Sequence, residues 1–395
     1  MFEKLQPQPA DALLALIKLF RDDPRADKID LGVGVYRNES GNTPVFEAVK
    51  AAERTLLETQ ATKAYLGPEG DLRFVELLRP IVFGADLGAR LTGIQTPGGS
   101  GALRLAAGVA AGAAQKTRIW VGAPTWPNHA PIFAAAGLEV VEYPYFDLKR
   151  QELLFDEMIS HLEQAQAGDV VLLHGCCHNP TGADLDLGQW DAVAELMSRR
   201  GLLPLVDFAY QGLGEGLEAD AQGLRRLIPA VDEILVAYSC DKNFGLYRDR
   251  VGAVYALARN ANEAATAGSN LATLARVNWS MPPDHGAAAV RIILDSAELT
   301  RLWHGELERM CRRINDVRRA LAAAEPALAF LTRQHGLFGT LAMTKDVVAR
   351  LRSEHGIYIA GSGRFNLAGL QTSEADTFVH ALRAVGALAD HEQAA

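Results

Sequence analysis

The chain has 395 residues, 49% of them hydrophobic and 22% charged, with a formal net charge of -9 and a pI near 5.6. That length exceeds what one hydrophobic core usually serves, so a globular protein of two domains is expected. With no long basic run and no apolar run long enough for a bilayer, the composition argues against nucleic-acid and membrane partners.

The first ten residues, polar and proline-containing, read as an extended arm. DALLALIKLFR over residues 11–21 places apolar residues at helical spacing. Gly32-Val33-Gly34, within KIDLGVGVYRNESG, is a weak dinucleotide signal, because Arg37 stands where a third glycine is needed. A close backbone approach to a ligand, or a tight bend, is the alternative. Phe46 to Thr59 reads as a helix and leads to the turn-rich KAYLGPEGD around Tyr65. In QTPGGSGALRLAAG, Gly98, Gly99, Ser100 and Gly101 precede a small-residue helix. Unpaired N–H groups at such a helix start, with the Ser100 hydroxyl, suit an anion, although glycine-rich turns serve structure as often as binding.

Apolar strand-like runs then alternate with helical ones. The strands are expected at Arg118 to Gly122, Glu139 to Tyr143, Val170 to His174, Leu202 to Asp207, Ile234 to Tyr238 and Val251 to Ala256. Helical stretches such as Trp190 to Arg199 lie between them. The pattern predicts an α/β fold with a mainly parallel sheet sandwiched by helices. Ligands gather beyond the carboxyl ends of such strands. Trp126 follows one strand, His174 to Asn179 another, Asp207 and Tyr210 a third, and Ser239 to Lys242 a fourth. After residue 300 the pattern changes to a long helix, Glu298 to Ala324, short strands at Phe338 to Leu341 and Ile357 to Ala360, and a helix from Ser373 to Leu388. This is a second, smaller α+β domain. The expected division is an arm at 1–10, a small domain of 11–45 plus 305–395, and a large domain of 46–304. The four cysteines, Cys176, Cys177, Cys240 and Cys311, form no spaced CxxC pair, so no disulfide framework or zinc site is expected. The N-terminus lacks a basic region followed by a cleavage site, so a reducing cytoplasm is the expected compartment.

The chemistry centres on ILVAYSCDKNFGLYRDRVG, residues 234–252. Lys242 directly follows an apolar strand, where a buried ammonium is costly unless paired or neutralised. An amine in a dry pocket can lose its proton and attack a carbonyl, whereas a lysine at a strand end can also snorkel to solvent. Ser239 offers a hydroxyl and Arg250 a permanent charge, both suited to a phosphate. A carbonyl that carries a phosphate suggests pyridoxal 5'-phosphate. That cofactor draws electrons from the substrate Cα only if its pyridine nitrogen stays protonated, and Asp207 is the candidate carboxylate opposite it. Asn179 and Tyr210 would donate to the phenolic oxygen, Trp126 would stack on the ring, and His129 would support Asp207.

These motifs resemble the aspartate and aromatic amino acid aminotransferases, within fold type I of the pyridoxal-phosphate enzymes. The resemblance runs nearly end to end, through LGVGVYRNESG, TPGGSGALR, PTWPNH, HGCCHNPTG, VDFAYQG, SCDKNFGLYRDRVG, NWSMPPDHG and SGRFNLAGL. Within it, Asp207 lies twenty-eight residues after Asn179, and Lys242 thirty-five after Asp207. The resemblance implies that Lys242 holds the cofactor covalently and, once released, carries a proton between the substrate Cα and the cofactor. It implies that Ser239, Arg250, Gly99 and Ser100 bind the phosphate, joined by Tyr65 from the neighbouring subunit, and that Asn179-Pro180 is cis. It further implies that Arg364 pairs with the substrate α-carboxylate, helped by the Gly34 backbone and Asn179. Arg276 would reach across from the other subunit to a distal carboxylate. The implied unit is a homodimer with shared active sites, acting on amino acids and 2-oxo acids, with no metal.

Two positions depart from the family pattern. Asp241 stands where a serine usually precedes the lysine. A carboxylate facing a phosphate would be repulsive, so Asp241 is expected to pair with a nearby cation. Met281 stands where aspartate-preferring members commonly carry asparagine, and its flexible apolar side chain fits a pocket that also admits aromatic groups. The expected activity is therefore an aromatic amino acid aminotransferase that also accepts aspartate; the alternative is an aspartate aminotransferase preferring dicarboxylates. A lyase need not keep both substrate arginines. A regulatory protein with a vestigial site would not need Lys242, Asp207, Asn179 and Arg364 together. A metal hydrolase on His174 and His178 lacks a third ligand at suitable spacing.

Overall fold

The computed structural model describes residues 1–7, 12–114 and 116–388. The expected helix start at Asp11, residues 8–10 of the arm and residues 389–395 of the expected small domain lie outside these. The chain forms two compact units. The larger comprises Pro44–Arg313 and Gln334–Gly336; the smaller comprises Met1–Thr43, Ile314–Arg333 and the chain from Leu337 onward. The division passes through the helix Ala297–Ala324, between Arg313 and Ile314.

The larger unit is built on a seven-stranded sheet. In chain order its strands are β1 (Leu91–Pro97), β2 (Arg118–Ala123), β3 (Glu139–Pro144), β4 (Val170–His174), β5 (Leu203–Phe208), β6 (Ile234–Ser239) and β7 (Val251–Leu257). Their spatial order is β1-β7-β6-β5-β4-β2-β3. β7 runs antiparallel to both its neighbours, β1 and β6, while the pairs β2–β3, β2–β4, β4–β5 and β5–β6 are parallel. Both β6 and β7 are buried at every residue, which is why they read as unbroken apolar runs rather than as alternating ones. Strands β2 to β7 lie within one residue of the bounds expected from sequence. β1 was not legible there.

Helix α1 (Gly98–Ala113) follows β1 directly and lays Leu103, Ala106 and Ala107 against Ile94 and Val254 of the sheet core. Burying Leu103, Ile94 or Val254 stabilises by about 1.5–3 kcal/mol each, and burying an alanine methyl by about 0.8 kcal/mol. Helix α2 (Leu187–Arg200) starts at a capping box made by Asp186 and Gln189 and ends at Gly201, whose φ of 64° suits a residue without a Cβ. The close approach of α1 to the sheet depends on Gly252. A Cβ there would lie 2.5 Å from the Tyr238 carbonyl oxygen and 2.7 Å from the Gly98 carbonyl carbon. Both are backbone atoms held on opposite sides. Gly252→Ala is expected to destabilise the protein by about 1–3 kcal/mol, seen as a lower denaturation midpoint with an unchanged slope.

In the smaller unit, Ile29–Asp30 pairs parallel with Ile357–Tyr358, and Phe338–Thr340 antiparallel with Arg364–Asn366. Its core gathers Leu31, Val317, Leu321, Leu331, Phe365 and Phe378. Buried Arg318 donates to the carbonyls of Leu331 and Phe338, at 3.2 and 2.8 Å, so its charge is not left unsolvated. The elements here are shorter than expected. The second strand stops at Tyr358, and a 3-10 turn at Thr372–Glu374 precedes a helix confined to Ala375–Ala384. Residues Phe2–Lys4 form a 3-10 turn rather than an extended arm.

Candidate active site

The carboxyl ends of β1, β2, β4, β5 and β6, with the amino end of β7, meet along one edge of the sheet. Lys242 lies in the turn after β6. That turn is fixed from below: Tyr238 donates to Gln211 Oε1 at 3.0 Å, Asn243 donates to the Tyr238 hydroxyl at 2.9 Å, and Trp303 donates to the Asn243 carbonyl at 2.8 Å. Phe244 stacks on Trp303 at 4.2 Å. The Lys242 amine sits 5.1 Å from the Tyr210 ring centre. Removal from water lowers its pKa below the usual lysine value; the carboxylates of Asp241 and Asp207 pull the other way without prevailing, and Arg250 adds to the lowering. A neutral, nucleophilic amine is the form this favours.

Asp207 is buried at the end of β5, in register with His174 on β4. His129 Nε2 meets its Oδ2 at 2.9 Å, and Thr125 Oγ1 meets His129 Nδ1 at 2.8 Å. Burial alone would raise the Asp207 pKa, but the hydrogen bond to His129 and the nearby His174 and Lys242 outweigh it and hold the acid below its ordinary value. The group therefore stays a carboxylate. His174, its ring 5.3 Å from that of His129, is driven down to about 4 by burial and stays neutral. His178 packs 4.1 Å from His174 and stacks on Tyr145 at 4.2 Å.

The histidines settle differently from the pairing weighed in the sequence. His129, His174 and Asp207 bring possible metal-donor atoms within 4.8 Å of one another, while His178 is held by Thr181 and Tyr145. Both nitrogens of His129 are already engaged, which leaves that cluster poorly suited to a cation.

Asn179 lies past the end of β4 and is joined to Pro180 by a cis bond. Its Nδ2 lies 3.4 Å from the Tyr210 hydroxyl, and its Oδ1 is buried without a partner among the described residues. Trp126, partly buried, stands edge-on to His129 at 5.2 Å. Sequence reading missed the group that shapes this loop. Asp184 accepts the N–H groups of Cys177 and His178, both at 2.8 Å, and lies 3.4 Å from His335 Nδ1. An aspartate just past a Pro-Thr-Gly turn was the available signal.

The residues expected to cradle an anion lie beside the lysine. No side chain caps the start of α1, so its first N–H groups stay available. A Cβ on Gly99 would come 3.1 Å from Ser239 Cβ, which places helix start and serine side by side. Gly98, at φ +66°, faces the Arg250 guanidinium and the Asp241 carboxylate. Asp241 pairs with Arg250, the expected kind of partner, and accepts the Val251 N–H at 2.9 Å.

On the outer surface of the same unit, Tyr65 is 92% exposed, and Met281 Sδ accepts the Leu66 N–H at 3.2 Å. Arg276 donates to the Ser280 hydroxyl and points to solvent. In the smaller unit, Arg364 lies 4.4 Å over the Phe338 ring and donates to the Gly32 carbonyl at 3.1 Å. A Cβ on Gly34 would meet that same ring at 2.6 Å, so Gly34 and Arg364 flank Phe338.

The donor set fits pyridoxal 5'-phosphate: a deprotonatable amine, a fixed carboxylate, an amide with an unused buried oxygen, and an uncapped glycine-rich helix start beside an arginine. The family model for class I and II aminotransferases matches residues 26–382. A tyrosine aminotransferase of Rhizobium meliloti (strain 1021) is 54% identical, over 95% of this chain and 97% of that protein. An aspartate aminotransferase of Salmonella typhi is 46% identical, over 98% of this chain and 100% of that protein. Among solved structures, an aromatic-amino-acid aminotransferase of Burkholderia pseudomallei covalently bound to pyridoxal phosphate superposes with a TM-score of 0.94. That structure is 38% identical and covers 98% of this chain and 99% of its own.

Proposed function

The chain belongs to the class I and II aminotransferases, and on that premise we propose that it moves the amino group between aromatic L-amino acids, or aspartate, and 2-oxoglutarate, using pyridoxal 5'-phosphate. The observation that carries this reading is the convergence of Lys242, Asp207, Asn179, Tyr210 and the start of α1 on one sheet edge. When bound, the cofactor supplies an electron sink for the bonds at the substrate Cα. Lys242 would hold it covalently and, once released, would carry the proton at the substrate Cα. Asp207, oriented by His129, keeps the ring nitrogen protonated. Asn179 and Tyr210 would donate to its phenolic oxygen, and Trp126 would stack on its ring. Gly99, Ser100, Ser239 and Arg250 bind the phosphate, with the partner subunit's Tyr65. Arg364 takes the α-carboxylate, helped by the Gly34 backbone and Asn179; Arg276 takes a distal carboxylate in the other subunit's site.

The homodimer this requires is supported by the exposed apolar surface of Tyr65 itself and of Leu66 and Val277, which adjoin Tyr65 and Arg276 in the chain. The four cysteines are buried and, among the described residues, none forms a disulfide, which suits a reducing compartment such as the cytoplasm. No helix among the described residues is long and apolar enough to cross a membrane.

Met281 and the tyrosine aminotransferase relative favour aromatic donors; the aspartate relative keeps the dicarboxylate alternative in view. Single-turnover reactions with phenylalanine, tyrosine, tryptophan and aspartate, followed by the change in cofactor absorbance, decide between them. Reaction with the aromatic acids as well as aspartate is expected; reaction with aspartate alone transfers the assignment to the alternative. Arg276→Leu should raise KM for aspartate and 2-oxoglutarate by about 100-fold while changing that for phenylalanine only a few-fold.

A further inference from the structure

We infer that Asp241 is a positioning residue for phosphate capture, clamping Arg250 against the start of α1 so that the cation is in place before the anion arrives. The inference rests on the proposed phosphate role of Arg250. Asp241 is 2% exposed, and both its oxygens are used: Oδ1 accepts the Val251 N–H at 2.9 Å, and Oδ2 accepts from Arg250 Nη1. Its own N–H donates to Ser239 Oγ at 3.2 Å. One residue thus ties together the serine, the arginine and the first residue of β7.

The geometry of Gly98 completes the clamp. A Cβ there would lie 2.5 Å from Arg250 Nη2 and 2.7 Å from Asp241 Oδ2. The pair is therefore pressed against the first residue of α1, with Nη2 turned to the helix start. The remaining contact of Nη1 is the Tyr247 carbonyl at 3.3 Å. An arginine side chain has many rotamers, and one already held in its binding geometry loses less freedom when the anion binds. The carboxylate would repel a phosphate if it faced one. Here it points to Arg250 and to a backbone N–H, so its charge is spent on holding the cation.

The test compares binding of pyridoxal 5'-phosphate and of pyridoxal, which lacks the phosphate, to cofactor-depleted protein by absorbance and fluorescence titration. The ratio of the two dissociation constants isolates the phosphate site. Asp241→Ser is expected to weaken binding of the phosphorylated form about tenfold, the scale of one charge-assisted hydrogen bond, and to leave pyridoxal within twofold. Asp241→Asn, which keeps an oxygen for the Val251 N–H, should show a smaller loss in the same direction and serves if the serine variant fails to fold. Unchanged or tighter binding of the phosphorylated form in a folded Asp241 variant overturns the inference. Arg250→Ala separates the two readings. If it leaves the ratio unchanged, the phosphate assignment of Arg250 fails and the clamp with it. If it collapses the ratio while the Asp241 variants do not, only the clamp fails.

Discussion

Lys242→Ala should lower turnover by about 10,000-fold or more, because one amine performs two tasks and no neighbour can take over either. On the proposed reading it is both the covalent anchor and the base that moves the proton at the substrate Cα; the second task alone contributes about 100- to 10,000-fold. Lys242→Arg should fail as badly. A guanidinium keeps the charge but does not deprotonate, so the pair of variants separates a need for a nucleophile from a need for a cation. Neither fold nor assembly should suffer from the alanine change. The amine makes no hydrogen bond among the described residues, its nearest ring contact is Tyr210 at 5.1 Å, and its burial is unfavourable to the charged form. Borohydride treatment followed by peptide mass analysis provides the direct measurement. Wild-type protein should carry the cofactor mass on Lys242, and the variants should carry none there. Labelling at another lysine with activity retained would refute the assignment.

Asp207→Asn should cost about 3–5 kcal/mol of transition-state stabilisation, the usual consequence of removing one partner of a buried charge pair. That corresponds to roughly 100- to several-thousand-fold in kcat. The amide matches the carboxylate in shape, so the loss would report charge rather than packing. The ring nitrogen titration, read by absorbance, should move to lower pH in the variant, and an unchanged titration would remove Asp207 from its assigned place. The same residue contributes to stability with a definite sign. Its folded-state pKa is held below the usual aspartate value. Its contribution is thus complete above the unfolded pKa of about 4 and is lost as pH falls through the depressed folded value. Thermal melts of the two proteins should therefore converge in strong acid.

Six of the seven strands of the large sheet were legible in the sequence to within one residue, and several residues expected at the site stand at or past the ends of such strands. Lys242, Asp207 and Asn179 each follow an apolar run, and a polar residue in that position stands out. β1 did not stand out, because LTGIQTP is interrupted by polar residues that the fold buries. Gln95 is fully buried, yet its Oε1 accepts the Asp71 N–H at 2.8 Å and its Nε2 donates to the Pro283 carbonyl at 2.7 Å. Its partners are distant in sequence, so no local pattern announces that the amide is satisfied. Asp184 differs, because its partners are local: its two oxygens accept the amides of Cys177 and His178, and its one sequence signal is its place just past the Pro-Thr-Gly turn. His174 and His178 invited a metal reading because they are four apart, but their neighbours, a carboxylate-bound imidazole and a tyrosine ring, come from other strands and loops.

The one reversed strand explains how so short a segment holds so much of the chemistry. A parallel successor to β6 would need a crossover spanning the height of the sheet, and its first residue would emerge at the far rim. Because β7 turns back at once, Gly252 stands opposite both Ser239 and Thr96. The eleven residues between β6 and β7 begin and end on the same rim. On the proposed assignments of Lys242 and Arg250, covalent grip and electrostatic grip on a single small molecule would both be carried by this one loop, and any insertion in it would loosen both together.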